Sequence, residues 1–232
     1  MSEAKQTVYG LLKFGEKQYI QAFRDDGLLY MKSLAEFARL ELDTARGDCF
    51  EGTTNIIQPK HVADFIIDAT KVGFGKITVD PLELAGPVRI GLTRTASCNV
   101  YCMFAITKPV DGELVSNKNL QFGDSCVLIL NPTEFLRRVF AAAKHACLSP
   151  KAGLVDYCDA EEYSGETGRF RKRSMFDYQH EFRIVVEPGS DTPIKLFVGN
   201  LLDITSEVLL SSEVNQRLDF STRSAREAGL SW

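Results

Sequence analysis

The chain has 232 residues, of which 44% are hydrophobic and 25% are charged, and its formal net charge is -4. These values are ordinary for a globular domain and exclude the disordered class, in which large apolar residues are depleted. A membrane-spanning chain is also excluded, because no apolar run approaches the roughly 18 uncharged residues that a span requires. Without an apolar signal segment near the start, the sequence predicts one cytoplasmic domain over residues 1–232 with no membrane partner.

Strands are the most numerous predicted elements, because short apolar or alternating runs are bounded by turn residues. In chain order these strands are expected at residues 8–14, 28–31, 65–67, 76–79, 88–92, 100–106, 125–130, 154–158, 182–187, 194–198 and 204–210. The strands at 182–187 and 194–198 are expected to pair as a hairpin after Pro188-Gly189. The polar tail over 211–232 is expected to be loosely structured.

Helices are predicted at three places between these strands. Apolar residues recur at helical spacing up to Gly27, which supplies a C-terminal stop. Ser33 and Glu36 form a capping box that begins a second helix, and Asn131 followed by Pro132 begins a third that runs to about residue 146. Because strands outnumber helices and no regular βαβ alternation appears, the expected fold class is α+β with mixed, mainly antiparallel sheets.

Common catalytic and metal-binding signatures are absent from the sequence. It contains no Gly-rich phosphate loop, no His-Glu-x-x-His, no Gly-x-Ser-x-Gly and no Cys-x-x-Cys. The six cysteines are scattered and are predicted to be reduced, mostly buried thiols. Cys98 and Cys102, the closest pair, lie four residues apart in a strand-like run, too far apart for one tetrahedral metal. No metal site is expected.

The clearest candidate for chemistry is Gln179-His180-Glu181, which precedes an apolar strand. In an extended chain the side chains of Gln179 and Glu181 project from one face, with His180 on the other. A carboxylate beside a carboxamide suits a reaction that develops positive charge, such as cleavage of a glycosidic bond. The structural alternative is that Glu181 pairs with Arg183 on an ordinary sheet face.

A basic cluster lies just before this segment and consists of Arg169, Arg171, Lys172 and Arg173. Such a cluster attracts phosphates, so nucleic-acid binding is one interpretation. A solvated loop without a binding role is the other.

Residues 179–188 resemble the Q/E-x-E motif and following apolar strand of ADP-ribosyltransferases. The chain also resembles an uncharacterised bacterial and phage family. Its members have a Leu-x-Lys-Phe/Tyr strand, a Leu-x-Phe-x-Ser strand, an Asp-x-Phe-Glu loop and a Glu-aromatic-Arg strand. The corresponding segments here are 11–14, 28–33, 48–51 and 181–183.

This resemblance implies an ADP-ribosyltransferase-like β core that uses NAD as a substrate and needs no metal. It implies that Glu181 holds the nicotinamide-ribose hydroxyl and stabilises the oxocarbenium ion, while Gln179 orients the acceptor. The other residues implied to bind NAD are Lys13 and Phe14 on the first strand, Tyr30 and Ser33 on the nicotinamide side, Arg46 at the diphosphate and Tyr101 for ring stacking.

The function expected from the resemblance is mono-ADP-ribosyl transfer from NAD onto a macromolecule, with RNA, DNA and protein as candidate acceptors. Small bacterial proteins with this chemistry often resemble toxins of toxin-antitoxin or phage-defence systems, so an antitoxin is a further expected partner. The alternatives are hydrolysis of NAD by water, a non-enzymatic phage or bacterial interaction module, and a nuclease.

Overall fold

A computed structural model of the chain describes residues 6–34, 36, 53–91, 98–107 and 113–218. The α-helices are α1 (Lys17–Asp26), α2 (Pro132–His145) and α3 (Val214–Arg217). The strands are β1 (Gly10–Gly15), β2 (Leu28–Ser33), β3 (Thr53–Ile57), β4 (Phe65–Ala69), β5 (Gly75–Val79), β6 (Val88–Gly91), β7 (Asn99–Ile106), β8 (Ser125–Ile129), β9 (Ser149–Leu154), β10 (Asp156–Cys158), β11 (Gly165–Glu166), β12 (Arg171–Arg173), β13 (Glu181–Glu187), β14 (Ile194–Phe197) and β15 (Leu209–Leu210).

An eight-stranded antiparallel sheet forms the centre of the molecule. Its strand order is β14-β2-β7-β1-β8-β15, and β13 lies along the other edge of β7 with β9 beyond it. The smaller sheets are β11-β3-β6, β4-β5 and the parallel pair β10-β12. Helices combined with mainly antiparallel sheets confirm the α+β class.

The helix ends that were predicted from glycine, proline and capping residues are confirmed where the structure describes them. Gly27 ends α1 in the left-handed conformation, with φ of 66°, where glycine carries no steric penalty. The Asn131 side chain accepts the Glu134 N–H at 3.0 Å, and Pro132 occupies the first turn of α2. Ser33 Oγ likewise accepts the Glu36 N–H at 3.1 Å, as the capping box predicts. The helix predicted beyond Glu36 lies mostly outside the described residues.

Helices α1 and α2 cover one face of the central sheet and build the main core with it. Ile20 and Phe23 of α1, and Phe135 and Val139 of α2, are all buried in this cluster. Each such side chain contributes about 1.5–3 kcal/mol through removal from water. Tyr101 of β7 stacks on Phe23 in the same layer, with ring centroids 5.8 Å apart.

One edge of β7 is shared by two strands that then separate. Residues 104–106 pair with residues 10–12 of β1, whereas residues 99–100 pair with residues 32–33 of β2. Residues 11–15 of β1 pair with β8 along the other edge of β1, and residues 28–31 of β2 pair with β14. The sheet therefore splits into two arms beside residues 101–103, and α1 connects the arms.

The predicted hairpin between 182–187 and 194–198 is wrong, because β14 pairs with β2 instead. Both edges of β13 are already occupied by β7 and β9. Strand β9 was not predicted, since its sequence Ser-Pro-Lys-Ala-Gly-Leu is typical of a turn, yet β9 pairs through one edge with β13 and so tolerates Pro150. Strands β3 and β12 were also missed.

Within the described segments, the structure contains no helix both long and apolar enough to traverse a bilayer.

Candidate functional site

Glu181 is the first residue of β13 and lies in the interior, with 4% of its surface exposed. A 3-10 helix over Ser174–Gln179 ends at His180, whose left-handed backbone (φ 38°, ψ 49°) turns the chain into the strand. The Glu181 N–H donates to the hydroxyl of Tyr157 at 2.9 Å. The turn at His180 and the Tyr157 hydroxyl therefore hold the backbone of Glu181 in place.

Two buried cations hold the Glu181 carboxylate. Lys172 Nζ lies 2.7 Å from Oε2, and Arg183 Nε donates to Oε1 at 2.7 Å. Cys102, which lies opposite Arg183 on the neighbouring strand, is the next side chain beside this carboxylate. The pairing of Glu181 with Arg183, which was the structural alternative, is confirmed.

The charges around Glu181 decide its protonation state. Burial alone would raise the pKa of this carboxyl, but the Arg183 and Lys172 charges outweigh burial and hold the pKa well below its usual range. Burial, reinforced by the Glu181 charge, raises the pKa of Cys102 to about 12. The carboxylate is therefore ionised at neutral pH, whereas the thiol beside it stays protonated.

Gln179 and Glu181 converge on one ammonium group, although their backbone is not extended. Lys172 Nζ, which lies 2.7 Å from the Glu181 carboxylate, donates to Gln179 Oε1 at 3.0 Å. The expected strand geometry is wrong, because Gln179 ends a 3-10 helix and His180 is left-handed. The turn at His180 nevertheless brings both side chains to Lys172, which sequence spacing could not reveal.

The basic cluster is not a solvated loop, because Lys172 is buried and the other three side chains are only partly exposed. The contacts of the cluster are Arg169 with Glu187 at 2.8 Å, Arg171 with Asp156 at 3.5 Å, Lys172 with Glu181 at 2.7 Å and Arg173 over the Phe176 ring at 5.4 Å. The solvated-loop expectation is therefore wrong. Nucleic-acid binding by Arg169, Arg171, Lys172 and Arg173 stays a prediction.

Lys13 and Tyr101 meet at the point where the sheet splits. Lys13 Nζ donates to the Cys102 carbonyl at 2.8 Å and lies 4.1 Å from the centroid of the Tyr101 ring. Tyr101 is buried in the main core between this ammonium group and Phe23, so its ring is not open to stack on a ligand in this conformation. Lys13 and Glu181 approach Cys102 from opposite faces of the sheet.

The remaining predicted NAD contacts lie around the two arms. Strand register puts Phe14 and Tyr30 on the Glu181 face, with Phe14 buried on one arm and Tyr30 exposed on the other. Ser33 is buried, and its hydroxyl donates to the Asp191 carbonyl at 3.1 Å. Arg46 lies outside the described residues, as does the segment 48–51.

Two adjacent cavities, of about 240 and about 320 Å³, lie where β13 begins. Glu181 and Tyr157 line the first, and Thr107, Tyr178 and His180 line both. The His180 ring lies edge-on to Phe104 at 5.4 Å between centroids. His180 was expected on the opposite face of an extended strand, and nothing in the sequence indicated its left-handed conformation beside the two cavities.

The depressed pKa of Glu181 predicts a pH-dependent contribution to stability. Such a carboxylate stabilises the fold above the ordinary carboxyl pKa of about 4.3, and this contribution is lost as the pH falls toward its lower folded-state pKa. In urea unfolding from pH 7 to pH 3, the difference in unfolding free energy between wild type and Glu181→Gln should stay constant down to about pH 5 and then shrink. A constant difference down to pH 3 would contradict the assignment.

Among the described residues, no group of three or more His, Cys, Asp or Glu side chains is arranged to hold a metal ion. Comparisons of the chain with protein-family models, curated proteins and solved structures gave no match.

Proposed function

We propose that this chain is an NAD-dependent mono-ADP-ribosyltransferase of the cytoplasm, acting on a macromolecule. RNA, DNA and protein are the candidate acceptors. The bond between ribose C1′ and the nicotinamide nitrogen breaks, a bond from C1′ to the acceptor forms, nicotinamide leaves, and the acceptor loses a proton. A toxin or phage-defence role and a cognate antitoxin belong to the same proposal.

The observation that carries the proposal is the ionised Glu181 carboxylate, joined to Gln179 through Lys172 beside a cavity that Glu181 lines. A preorganised carboxylate stabilises the positive charge that develops on ribose as nicotinamide departs. Gln179 contacts the same ammonium group, and in this proposal its amide orients the acceptor. The free thiols of the described cysteines agree with a reducing compartment.

The test is incubation of the purified protein with NAD labelled in the adenosine part, alone and with cellular RNA, DNA or protein. Release of nicotinamide with label on one acceptor supports transfer and identifies the acceptor class. If free ADP-ribose forms under every condition and no acceptor is labelled, the protein hydrolyses NAD and does not transfer ADP-ribose.

A second candidate is a non-enzymatic interaction protein in which the Glu181 cluster is only structural. The observation in its favour is that both carboxylate oxygens are already ion-paired and the residue is almost fully buried. This candidate predicts no heat of NAD binding in calorimetry and no nicotinamide release.

A further inference from the structure

The hairpin of β4 and β5 forms a two-stranded sheet of its own. Isolated two-stranded hairpins are only marginally stable in water, and three or more strands are usually needed. The middle residues of both strands are exposed, so neither face of the hairpin is covered by the described part of the chain. A further strand or a covering element would therefore stabilise this hairpin.

Several large apolar side chains are exposed on this hairpin, on its own turn and on the 3-10 helix that follows it. Phe74 is 78% exposed and Leu82 is 80% exposed. Ile77 is 45% exposed and lies opposite Ile67 on one face. Exposed apolar patches of this kind typically mark an interaction surface.

The outer edge of β5 has the properties of a pairing edge. The backbone groups of β5 bond only to β4 within the described residues, and β5 contains no proline. An exposed edge strand of apolar and β-branched residues is a ready template for another strand. Ile77, Thr78 and Val79 are three successive β-branched residues of this strand.

We propose that the outer edge of β5 pairs antiparallel with β5 of a second copy of this chain, about a two-fold axis at Thr78. The two hairpins then form one four-stranded sheet, β4-β5-β5-β4. In this register Thr78 opposes Thr78, and Ile77 opposes Val79 of the second copy on the other face. Thr–Thr and aliphatic pairs directly across an antiparallel ladder are stabilising.

Charge complementarity selects this register and this partner. Lys76 lies directly opposite Asp80 of the second copy, and symmetry produces the same pair twice. Asp80 is exposed, and its carboxylate also accepts the Leu82 N–H at 2.9 Å. By contrast, pairing of β4 with itself about Ile66 would oppose Asp68 to Asp64, and like charges there are destabilising.

The test measures molecular mass by sedimentation velocity across protein concentrations from about 1 to about 200 µM, because a small interface of this kind forms a weak dimer. Wild type should move from monomer to dimer within that range. Lys76→Glu creates two like-charge pairs across the interface, besides one with Asp68 inside each hairpin, and should raise the dimer dissociation constant by about tenfold or more. The double variant Lys76→Glu with Asp80→Lys restores opposite charges and should recover dimerisation.

Lys71→Glu is the matched control, because Lys71 is exposed on the same hairpin but lies outside the paired strand. It should dimerise like the wild type. A protein that is monomeric at every concentration overturns the proposal. Equal weakening by Lys71→Glu and Lys76→Glu, or no recovery in the double variant, also overturns it.

Discussion

Glu181→Gln should reduce the free energy of unfolding by about 3–5 kcal/mol, the loss typical when one member of a buried ion pair is removed. The substitution keeps the shape of the side chain but removes the negative charge that lies between Lys172 and Arg183. Two buried cations then remain without the carboxylate that accepts from both. Urea unfolding at pH 7, followed by circular dichroism, measures the loss.

Glu187→Gln is the control for this prediction, because Glu187 occupies the far end of the same strand. Its ion pairs with Arg169 and Lys151 are partly exposed, so a loss within about 1 kcal/mol is expected. Adding Lys172→Met to Glu181→Gln should recover part of the stability, because residues in one ion network are not additive. Equal losses for the two Glu→Gln variants would refute a special role for the Glu181 cluster.

Glu181→Asp should lower nicotinamide release from NAD by about 100-fold, while binding of NAD changes little. The charge is kept, so the ion pairs with Lys172 and Arg183 can form again and the fold is retained. The carboxylate is withdrawn by one methylene, and a shift of about 1 Å in a catalytic group costs on the order of 100-fold in rate. Steady-state kinetics should show the effect in kcat rather than in KM.

Glu187→Asp makes the same change at the other end of β13 and should leave turnover within about twofold of the wild type, because partly exposed ion pairs contribute little. Wild-type turnover by Glu181→Asp would exclude Glu181 as the catalytic group. Absence of turnover in the wild type itself would reject the proposed function and favour the interaction protein.

Signals carried by a few neighbouring residues predicted local structure well. Gly27 as a stop and Asn131-Pro132 as a start depend on backbone conformations and caps within one helical turn. The residues that make these contacts are close together in the chain, so the sequence alone predicts the contacts. The mainly antiparallel α+β class followed from the number and spacing of the strands.

Contacts between distant residues were not predictable in the same way. The partner of β14 is decided by which strand edges remain free after β7 and β9 have paired with β13. Lys172 was assigned to a phosphate-binding patch, since nothing in Arg-Lys-Arg indicates which side chain turns inward. The catalytic role of Glu181 stays a prediction, and its pairing with Arg183 was one of the alternatives that the sequence offered, whereas its contact with Lys172 and the turn at His180 required the structure.

The pairing of β7 along both of its edges limits which insertions and deletions this chain can accept in evolution. Strand β7 pairs with β13 along one edge and with both β1 and β2 along the other. Inserting or deleting one residue in β7 or β13 would exchange the two faces of the strand and move Cys102 or Arg183 away from Glu181. Relatives should therefore keep the lengths of these two strands and gain or lose residues mainly in the segments around β4-β5 and β10-β12.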